Sequence, residues 1–426
     1  MENKIKVLHV NTYTYGGAAN ACIELHLGLL DQGIDSHLLT LYPSKQPVPQ
    51  HTVFPVKHPP RFQKVIGQVR AARNRKKDQR IREFCKTVNQ EADYFSFINS
   101  PYDITQLAAF QKADIVNLHW VGDFLDWPTF FGAGNEKKIV WTLHDMSPFT
   151  GGYHFANGYT GYQQNDQNYP PATDTKFPQL AANLLKRKKE ILKTHRSRVQ
   201  IVSPSRWLSE VSASSALFNH YSHAVIPNSI NSTIFKPSNK VVCREILNLP
   251  SKSTLLLSVS HDLNKPRKGF KILLDSFSQY LPEQNVRLCA VGANSQETTE
   301  LSSNFIALGE LPDPRLMAIA YNAADAFVIS SVEDNLPNTM LEALMCGTPV
   351  IGFAVGGIKD AIHDGINGRL SEEITAQGLA VAINRFIAQP DAFNSSVIRQ
   401  DAMQRYAPRV QAEAYATLYQ KLLNEG

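Results

Sequence analysis

One stretch, residues 326–353, limits the folds open to this chain more than any other. It begins with Ala326-Phe327-Val328-Ile329, turns through the acidic Glu333-Asp334-Asn335, continues as a helical segment and ends in a second apolar run at 349–353. Two short apolar runs flanking a helical segment make a strand–helix–strand crossover, which requires parallel strands buried on both faces. Asn338 is the expected N-cap of the helix and Gly347 its expected stop. An α/β fold follows, with the acidic turn at the carboxyl end of a strand, where parallel sheets bind ligands.

The same alternation recurs along the chain. Strands are expected at 6–11, 36–41, 114–118, 138–143 and 199–202, with a helix at 18–31 closed by Gly33. A second series falls at 254–260, 286–291, 305–308, 326–329 and 349–353. Between them, residues 225–230 and Phe235-Lys236-Pro237 read as a strand leading into a connector. The expected organisation is a first doubly wound domain at 1–228 and a second at 229–408. A helix at 409–426 would pack back across both, with Ala412, Tyr415, Leu418, Tyr419 and Leu422 on one face. Two such domains imply a cleft, with ligands at the carboxyl ends of both strand sets.

Two insertions interrupt the pattern, a polar one at 51–102 and a loop rich in Tyr, Asn, Gln, Gly and Pro at 153–178. The first explains the charge. Net charge is +5, yet residues 61–86 hold ten Lys or Arg against two acids, so the remainder is net negative. Phe62, Val65, Ile66 and Val69 give this segment helical spacing, hence a basic amphipathic helix. It reads either as a solvated surface helix or as a contact for an anionic membrane or lipid-linked phosphate. Nucleic acid is not an expected partner, because no zinc, helix-turn-helix or RNA-binding pattern accompanies the charge.

With 43% hydrophobic residues in 426, two separate cores are affordable and disorder is excluded as a class. Cys22, Cys85, Cys243, Cys289 and Cys346 lack paired spacing and suit buried free thiols. Met-Glu-Asn-Lys leads straight into an apolar strand, and no apolar run reaches membrane-spanning length. The expected location is the cytoplasm, with peripheral contact at the inner face of the membrane if the basic segment binds lipid.

Several residue groups can carry chemistry. Amides at the start of the 338–347 helix can hold a phosphate, and carboxylates at either end of the turn, Asp334 and Glu342, can accept hydrogen bonds from sugar hydroxyls. Glu333, Asn335, Leu336, Asn338, Thr339 and Met340 line the same turn. Alone, the two acids could equally be a solvated loop acid and a helix-surface Glu. Lys265-Pro266-Arg267-Lys268-Gly269-Phe270 follows a strand and opens a helix, where cations oppose the local dipole but bind anions well; a surface charge cluster is the alternative. Gly16-Gly17 ends the first strand, either as a simple turn or as a close approach for a ligand. His144 ends the 138–143 strand, either pointing at the ligand or structural; His119 and Trp120 end the strand before it in the same manner. Glu310 either touches a base edge or precedes a helix capped by Asp313. The chain has no Gly-X-Gly-X-X-Gly, Asp-X-Asp, Gly-X-Ser-X-Gly or Walker lysine pattern, which removes the usual basis for dinucleotide, metal-dependent transferase, hydrolase and kinase readings.

Residues 330–353 resemble the signature of retaining glycosyltransferase family 4, in which two acids separated by seven residues flank a turn and Glu-Ala precedes Cys-Gly-Thr-Pro-Val. The likeness extends to Ile226-Pro227-Asn228, to Gly356-Gly357 and to 364–368, over nearly the whole chain. It implies the GT-B architecture, two Rossmann-like doubly wound domains facing a central cleft. It also implies sugar transfer with retention from a nucleoside diphosphate; with no Asp-X-Asp pattern, metal dependence is not expected, nor is any cofactor. Glu342 matches the ribose-binding acid, Asp334 or Glu333 the acid near the sugar, Lys268 the diphosphate lysine and His144 a histidine contacting the donor sugar. Gly16 and Gly17 match the glycine-rich loop, and Glu310 lies in the segment near the base.

The chain also departs from the pattern. Asp stands where Glu is usual at 334, and Ser260-His261-Asp262 replaces the usual Gly-Arg, leaving Arg267 to substitute for that arginine. Residues 148–154 resemble a polysaccharide-assembly subgroup, so the expected acceptor is a glycan or lipid-linked glycan. The loop beyond them carries Tyr153, Tyr159 and Tyr169 but no cysteine, so no metal site is expected there. The alternatives are another GT-B enzyme, a nucleotide-sugar epimerase or sugar phosphorylase, and a noncatalytic nucleotide-sugar-binding subunit.

Overall fold

The computed structural model describes residues 4–56, 94–132, 136–156, 160–163, 180–259, 265–281, 285–292 and 304–425. The basic segment 61–86, Cys85, Tyr159, Tyr169 and residues 260–262 lie outside the described residues. The chain forms two units: Met1–Ser203 with Ser209–Ala224 and Tyr419–Gly426, and Pro204–Leu208 with Val225–Leu418.

The first unit is built on a seven-stranded sheet. Its strands are β1 (Lys6–Asn11), β2 (Asp35–Thr40), β3 (His51–Val53), β4 (Ile115–Leu118), β5 (Lys138–Thr142), β6 (Val199–Ser203) and β7 (Ser222–Val225), in the order β3-β2-β1-β4-β5-β6-β7. β1 pairs in parallel with both β2 and β4, so the chain winds outward twice from the middle of the sheet. Strands this deep read as continuous apolar runs, and every residue of β4 and β6 is buried. Some buried polar residues pair across the sheet. Thr142 Oγ1 donates to Asn117 Oδ1 at 3.0 Å, and Asn117 Nδ2 donates to the Tyr419 hydroxyl at 2.8 Å. Leaving any of these groups unpaired would cost about 1–3 kcal/mol.

The second unit has a six-stranded sheet of β8 (Thr254–Val259), β9 (Val286–Val291), β10 (Phe305–Gly309), β11 (Ala326–Ile329), β12 (Val350–Phe353) and β13 (Gly368–Ser371), ordered β10-β9-β8-β11-β12-β13. Period-two alternation places Leu255, Leu257, Phe327 and Ile329 in one core and Leu256, Ala326 and Val328 in the other. Met340 and Leu344 of helix Asn338–Met345 fill the first core; Leu273 and Phe277 of helix Phe270–Tyr280 fill the second. Both faces of the sheet are therefore covered, as a parallel sheet requires.

β1, β9 and β11 have the bounds expected from sequence, and most other strands differ by one residue at an end. Three strands were not anticipated in place. β3 is three residues with little burial, β7 is a half-polar, poorly buried strand that ends where the expected 225–230 run begins, and β13 begins at Gly368 inside a turn-rich stretch. Each lacks the apolar run that reveals a buried strand. Asn338 is not the N-cap of its helix: Pro337 holds that position, and Asn338 is the first helical residue, its Oδ1 accepting from Asn228 Nδ2 at 3.1 Å. Gly347 does end the helix, at φ 75° with its N–H on the Leu344 carbonyl.

Candidate active site

In each sheet the winding reverses between two neighbouring strands, β1 and β4 in the first unit and β8 and β11 in the second. The carboxyl ends of such strands diverge and leave a crevice in which open α/β sheets bind ligands. Several of the residues expected to do chemistry fall at these ends or at that of the neighbouring β5. Gly16 and Gly17 follow β1, His119 follows β4 and His144 follows β5. Lys265–Gly269 lies beyond β8, and Glu333-Asp334-Asn335 follows β11.

Asp334 is the centre of the second group. It is 9% exposed, and Lys268 Nζ lies 2.6 Å from its Oδ2, with an Arg267 guanidinium nitrogen 3.4 Å from the same oxygen. Ser331 Oγ donates to Oδ2 at 3.3 Å, and the Asn335 N–H donates to Oδ1 at 3.1 Å. Burial pushes the carboxyl pKa up, but the charges of Lys268 and Arg267 and these hydrogen bonds outweigh it and hold the group below its ordinary value. Asp334 is thus a fixed carboxylate.

The backbone locks this turn. Arg267 donates to the Glu333 carbonyl at 2.9 Å, and Val332 N–H donates to the Arg267 carbonyl at 2.9 Å. Ser330 Oγ donates to the Lys268 carbonyl at 2.9 Å. Glycines permit the approach. A Cβ on Gly269, at φ 61°, would sit 1.9 Å from the Ser330 carbonyl oxygen; on Gly356, at φ 51°, it would sit 2.0 Å from that of Asp334. Gly357 N–H closes the contact by donating to the Asp334 carbonyl at 3.0 Å. Arg267 is only 10% exposed and braces the turn, whereas Lys268 keeps a third of its side chain in solvent.

Helix Asn338–Met345 carries the second acid. Glu342 is half-buried, and Oε2 accepts from the buried Tyr321 hydroxyl at 2.8 Å, which aims the carboxylate. No side chain caps the helix, and Met340 N–H already turns back to the Pro337 carbonyl at 3.1 Å. The half-buried Asn338 and Thr339 begin the helix. Leu336 and Met340 point into the apolar core, so only their backbone can meet a ligand. Asn335 is buried, its Oδ1 accepting from Ser205 Oγ at 2.6 Å. Glu333 is half-buried. Glu310 is exposed ahead of helix Pro314–Ala323, which Asp313 caps by accepting from Arg315 N–H.

In the first unit, Gly16 and Gly17 are exposed, with open space where a Cβ would stand on either. Gly16 has φ 90° and is the N-cap of helix Gly17–Asp31. His144 belongs to a row of imidazoles. His144 Nε2 is 3.0 Å from His119 Nδ1, and His119 Nε2 is 3.0 Å from His9 Nδ1. Burial brings the His144 pKa down to about 4 against a smaller upward pull from Asp145, and burial lowers His9 and His119 well below the ordinary value. All three are neutral near pH 7. Sequence reasoning missed His9, because it lies inside an apolar strand with no local sign of a partner 110 residues away. His9, Cys22 and His119 form the only group of three or more metal-ligating side chains found among the described residues; they come from separate elements, so no spacing motif announces them.

A second set beside His144 was also not anticipated. Asp145 Oδ2 lies 2.6 Å from His154 Nδ1, and His154 Nε2 lies 2.7 Å from Ser96 Oγ, all three buried. This order matches a Ser-His-Asp triad, but the Ser96 amide donates to the Gly152 carbonyl at 2.9 Å and is not available to an oxyanion. The buried Lys188 donates to the carbonyls of Ser147 and Thr150, and burial brings its pKa down to about 7 against the upward pull of Asp145. These contacts hold the 145–154 loop in place behind His144.

Residues 254–389, which carry Lys268, Asp334 and Glu342, match the family model for Glycosyl transferases group 1. Over 96% of the chain there is 26% identity to WcaC of Escherichia coli strain K12, named as a colanic acid biosynthesis glycosyl transferase and covered over 97% of its length. Among solved structures, sucrose-phosphate synthase from Thermosynechococcus elongatus superposes with TM-score 0.67 at 19% identity, covering 99% of this chain and all of that one. Anabaena HepE, solved with UDP and glucose, gives TM-score 0.63 at 19% identity over 97% of this chain and 99% of its own. The architecture is GT-B, with two doubly wound parallel-sheet units. These findings support glycosyl transfer, and not the epimerase, phosphorylase or noncatalytic alternatives. Among the described residues no helix is long and apolar enough to cross a membrane.

Proposed function

We propose that this chain is a retaining, metal-independent glycosyltransferase of the family 4 type. It would move a sugar from a nucleoside diphosphate to a glycan or lipid-linked glycan acceptor during polysaccharide or cell-surface glycan assembly. The observation that carries the reading is the Lys268–Asp334 pair at the switch point of the second sheet, with Glu342 eight residues beyond Asp334 on the helix that follows. The parts divide the work. Lys268, with its ammonium partly in solvent, meets the departing diphosphate together with the amides at the start of helix Asn338–Met345. Glu342, aimed by Tyr321, takes the ribose hydroxyls.

Asp334 is a poor nucleophile in this setting, since its oxygens are engaged by Lys268, Arg267, Ser331 and the Asn335 amide. It orients: it holds Lys268 in register and, with Glu333, fixes the sugar. Leaving-group departure and acceptor attack on one face of the sugar, with the phosphate as base, needs no protein carboxylate to form a covalent intermediate. His144 would contact the donor sugar as a neutral imidazole, and the open surface above Gly16 and Gly17 leaves room for a phosphate or acceptor.

The absence of an Asp-X-Asp pattern supports metal independence. A UDP-linked hexose is the first donor to try, since HepE was solved with UDP-glucose. A panel of nucleotide sugars, scored for thermal stabilisation and slow donor hydrolysis in excess chelator, tests the reading. One stabilising donor that is hydrolysed with the sugar released in the α or β form of the donor supports it. Loss of all turnover with chelator overturns metal independence, and inversion at the anomeric carbon overturns retention.

A further inference from the structure

Aromatic side chains crowd the carboxyl end of the first sheet. Tyr13 follows β1, Tyr42 follows β2 and Trp120 follows β4. The Tyr13 ring meets Tyr42 stacked at 5.2 Å and 6°, Tyr15 tilted at 5.1 Å and 50°, and Trp120 tilted at 5.4 Å and 41°. This cluster is not core. Tyr15 is 66% exposed and Tyr42 46%, whereas Tyr321, Tyr406, Tyr415 and Tyr419 are fully buried. The backbone fixes the rings in advance. Thr12, one residue before Tyr13, donates its N–H to the Trp120 carbonyl and its hydroxyl to the Gly122 carbonyl, both at 2.8 Å. Its own carbonyl accepts from the Leu41 and Tyr42 amides at 3.2 and 3.3 Å, so three strand ends are tied to one residue. Trp120 is backed in turn by the His154 ring at 5.4 Å, which Asp145 and Ser96 hold in place. Exposed rings held this way lose little freedom when a ligand lands on them.

Chemistry narrows the occupant. A pyranose presents axial C–H groups on one face, an apolar and weakly positive surface that matches the negative face of an aromatic ring, with its hydroxyls around the edge. Asp123, exposed on the loop after β4, supplies a partner for those hydroxyls. It stands near enough to act on Tyr13: burial, the neighbouring Tyr42 and then the Asp123 charge push the Tyr13 hydroxyl up to about 12. A carboxylate at the rim repels phosphate, which disfavours a nucleotide or a lipid phosphate on these rings. We propose that Tyr13, Tyr15, Tyr42 and Trp120, with Asp123 at their rim, form a binding platform for the pyranose rings of a neutral glycan. This rests on the proposed glycosyl transfer only for making that glycan the acceptor; binding itself needs no donor.

The platform is tested by glycan binding to the full chain without nucleotide sugar. In protein labelled with ¹³C-tyrosine, soluble neutral oligosaccharides of glucose, galactose and mannose at millimolar concentration should shift the ring signals of Tyr13, Tyr15 and Tyr42. Tyr15→Ala and Tyr42→Ala truncate largely exposed rings and spare the fold; each should weaken binding about three- to tenfold, the loss of one aromatic contact. Tyr42→Phe keeps the ring and should restore most of it. Asp123→Asn should weaken binding about threefold or more. Tyr280→Ala, at an exposed tyrosine of the second unit, should leave binding unchanged. Failure of every oligosaccharide to shift these rings overturns the platform, as do shifts produced by UDP alone or undiminished binding in the Tyr15→Ala, Tyr42→Ala double variant. Transfer assays separate the two readings. Sugar transfer by a protein whose tyrosine rings no glycan shifts defeats the platform and leaves the transferase; glycan binding on the rings with no transfer from any nucleotide sugar does the reverse.

Discussion

Replacing Lys268 with Ala separates the fold of the second unit from its chemistry. Lys268 Nζ sits 2.6 Å from Asp334 Oδ2, and Asp334 is 9% exposed, so the variant strips a close partner from a buried carboxylate. Breaking a fully buried pair typically costs about 3–5 kcal/mol and an exposed one about 0–1 kcal/mol. Here the ammonium keeps 33% of its side chain in solvent, and Arg267 at 3.4 Å, Ser331 and the Asn335 amide all remain. The expected loss is therefore between those limits, about 1–2 kcal/mol in urea unfolding, with the cooperative transition kept. Turnover should fall further in proportion, by about 100- to 1000-fold, because a positioned charge on the departing diphosphate is gone.

The two losses are measured independently, by equilibrium unfolding and by product formation at saturating donor. Lys268→Arg should recover stability more than rate. Asp334 gives an additional check. Its folded pKa lies below the unfolded value, so its stabilisation is present above the unfolded pKa and is lost as pH falls through the folded one. The Lys268→Ala protein should show a shallower loss of stability below about pH 4. Retention of more than about a third of wild-type turnover would refute the diphosphate role, since a positioned stabiliser is worth far more.

Gly356→Ala should destabilise by about 2 kcal/mol or more, through a left-handed backbone and a Cβ driven against the Asp334 carbonyl, and should abolish transfer; differential scanning calorimetry and turnover check both. Glu342→Gln keeps a partner for the Tyr321 hydroxyl, so it should leave the melting temperature nearly unchanged while raising donor KM about tenfold or more; an unchanged KM would remove its ribose role. His9, His119 and His144 have folded pKa values below their unfolded ones, so the unfolded chain binds more protons in that window and stability is lost as pH falls below about 6.5. Glu24, pushed up to about 7 by burial, works in the opposite sense, so Glu24→Gln should make the fall between pH 7 and 5 steeper in urea titrations. The basic segment at 61–86, if it contacts an anionic membrane, should float the protein with phosphatidylglycerol vesicles at low salt and release it at high salt.

Most strands, and the strand ends at which chemistry gathers, are legible in the chain alone, although β3, β7 and β13 are not. Strands such as β1, β9 and β11 are buried on both faces, and burial forces an apolar run that is readable without any partner. Lys268 was legible for a similar reason, since a charge at a strand end leaves a local trace, whereas the left-handed turns at Gly269 and Gly356 were not read from the sequence. What depended on distant partners was not. The sequence could not show that Asp334 lies between Lys268 and Arg267, 66 residues away, or that Arg267 braces the turn while Lys268 faces solvent. Nor could it show His9 beside His119, or Asp145 and Ser96 at opposite edges of His154. Side-chain charge and engagement are set by contacts across elements, so which ionisable groups are fixed and which are neutral becomes visible once the chain is folded.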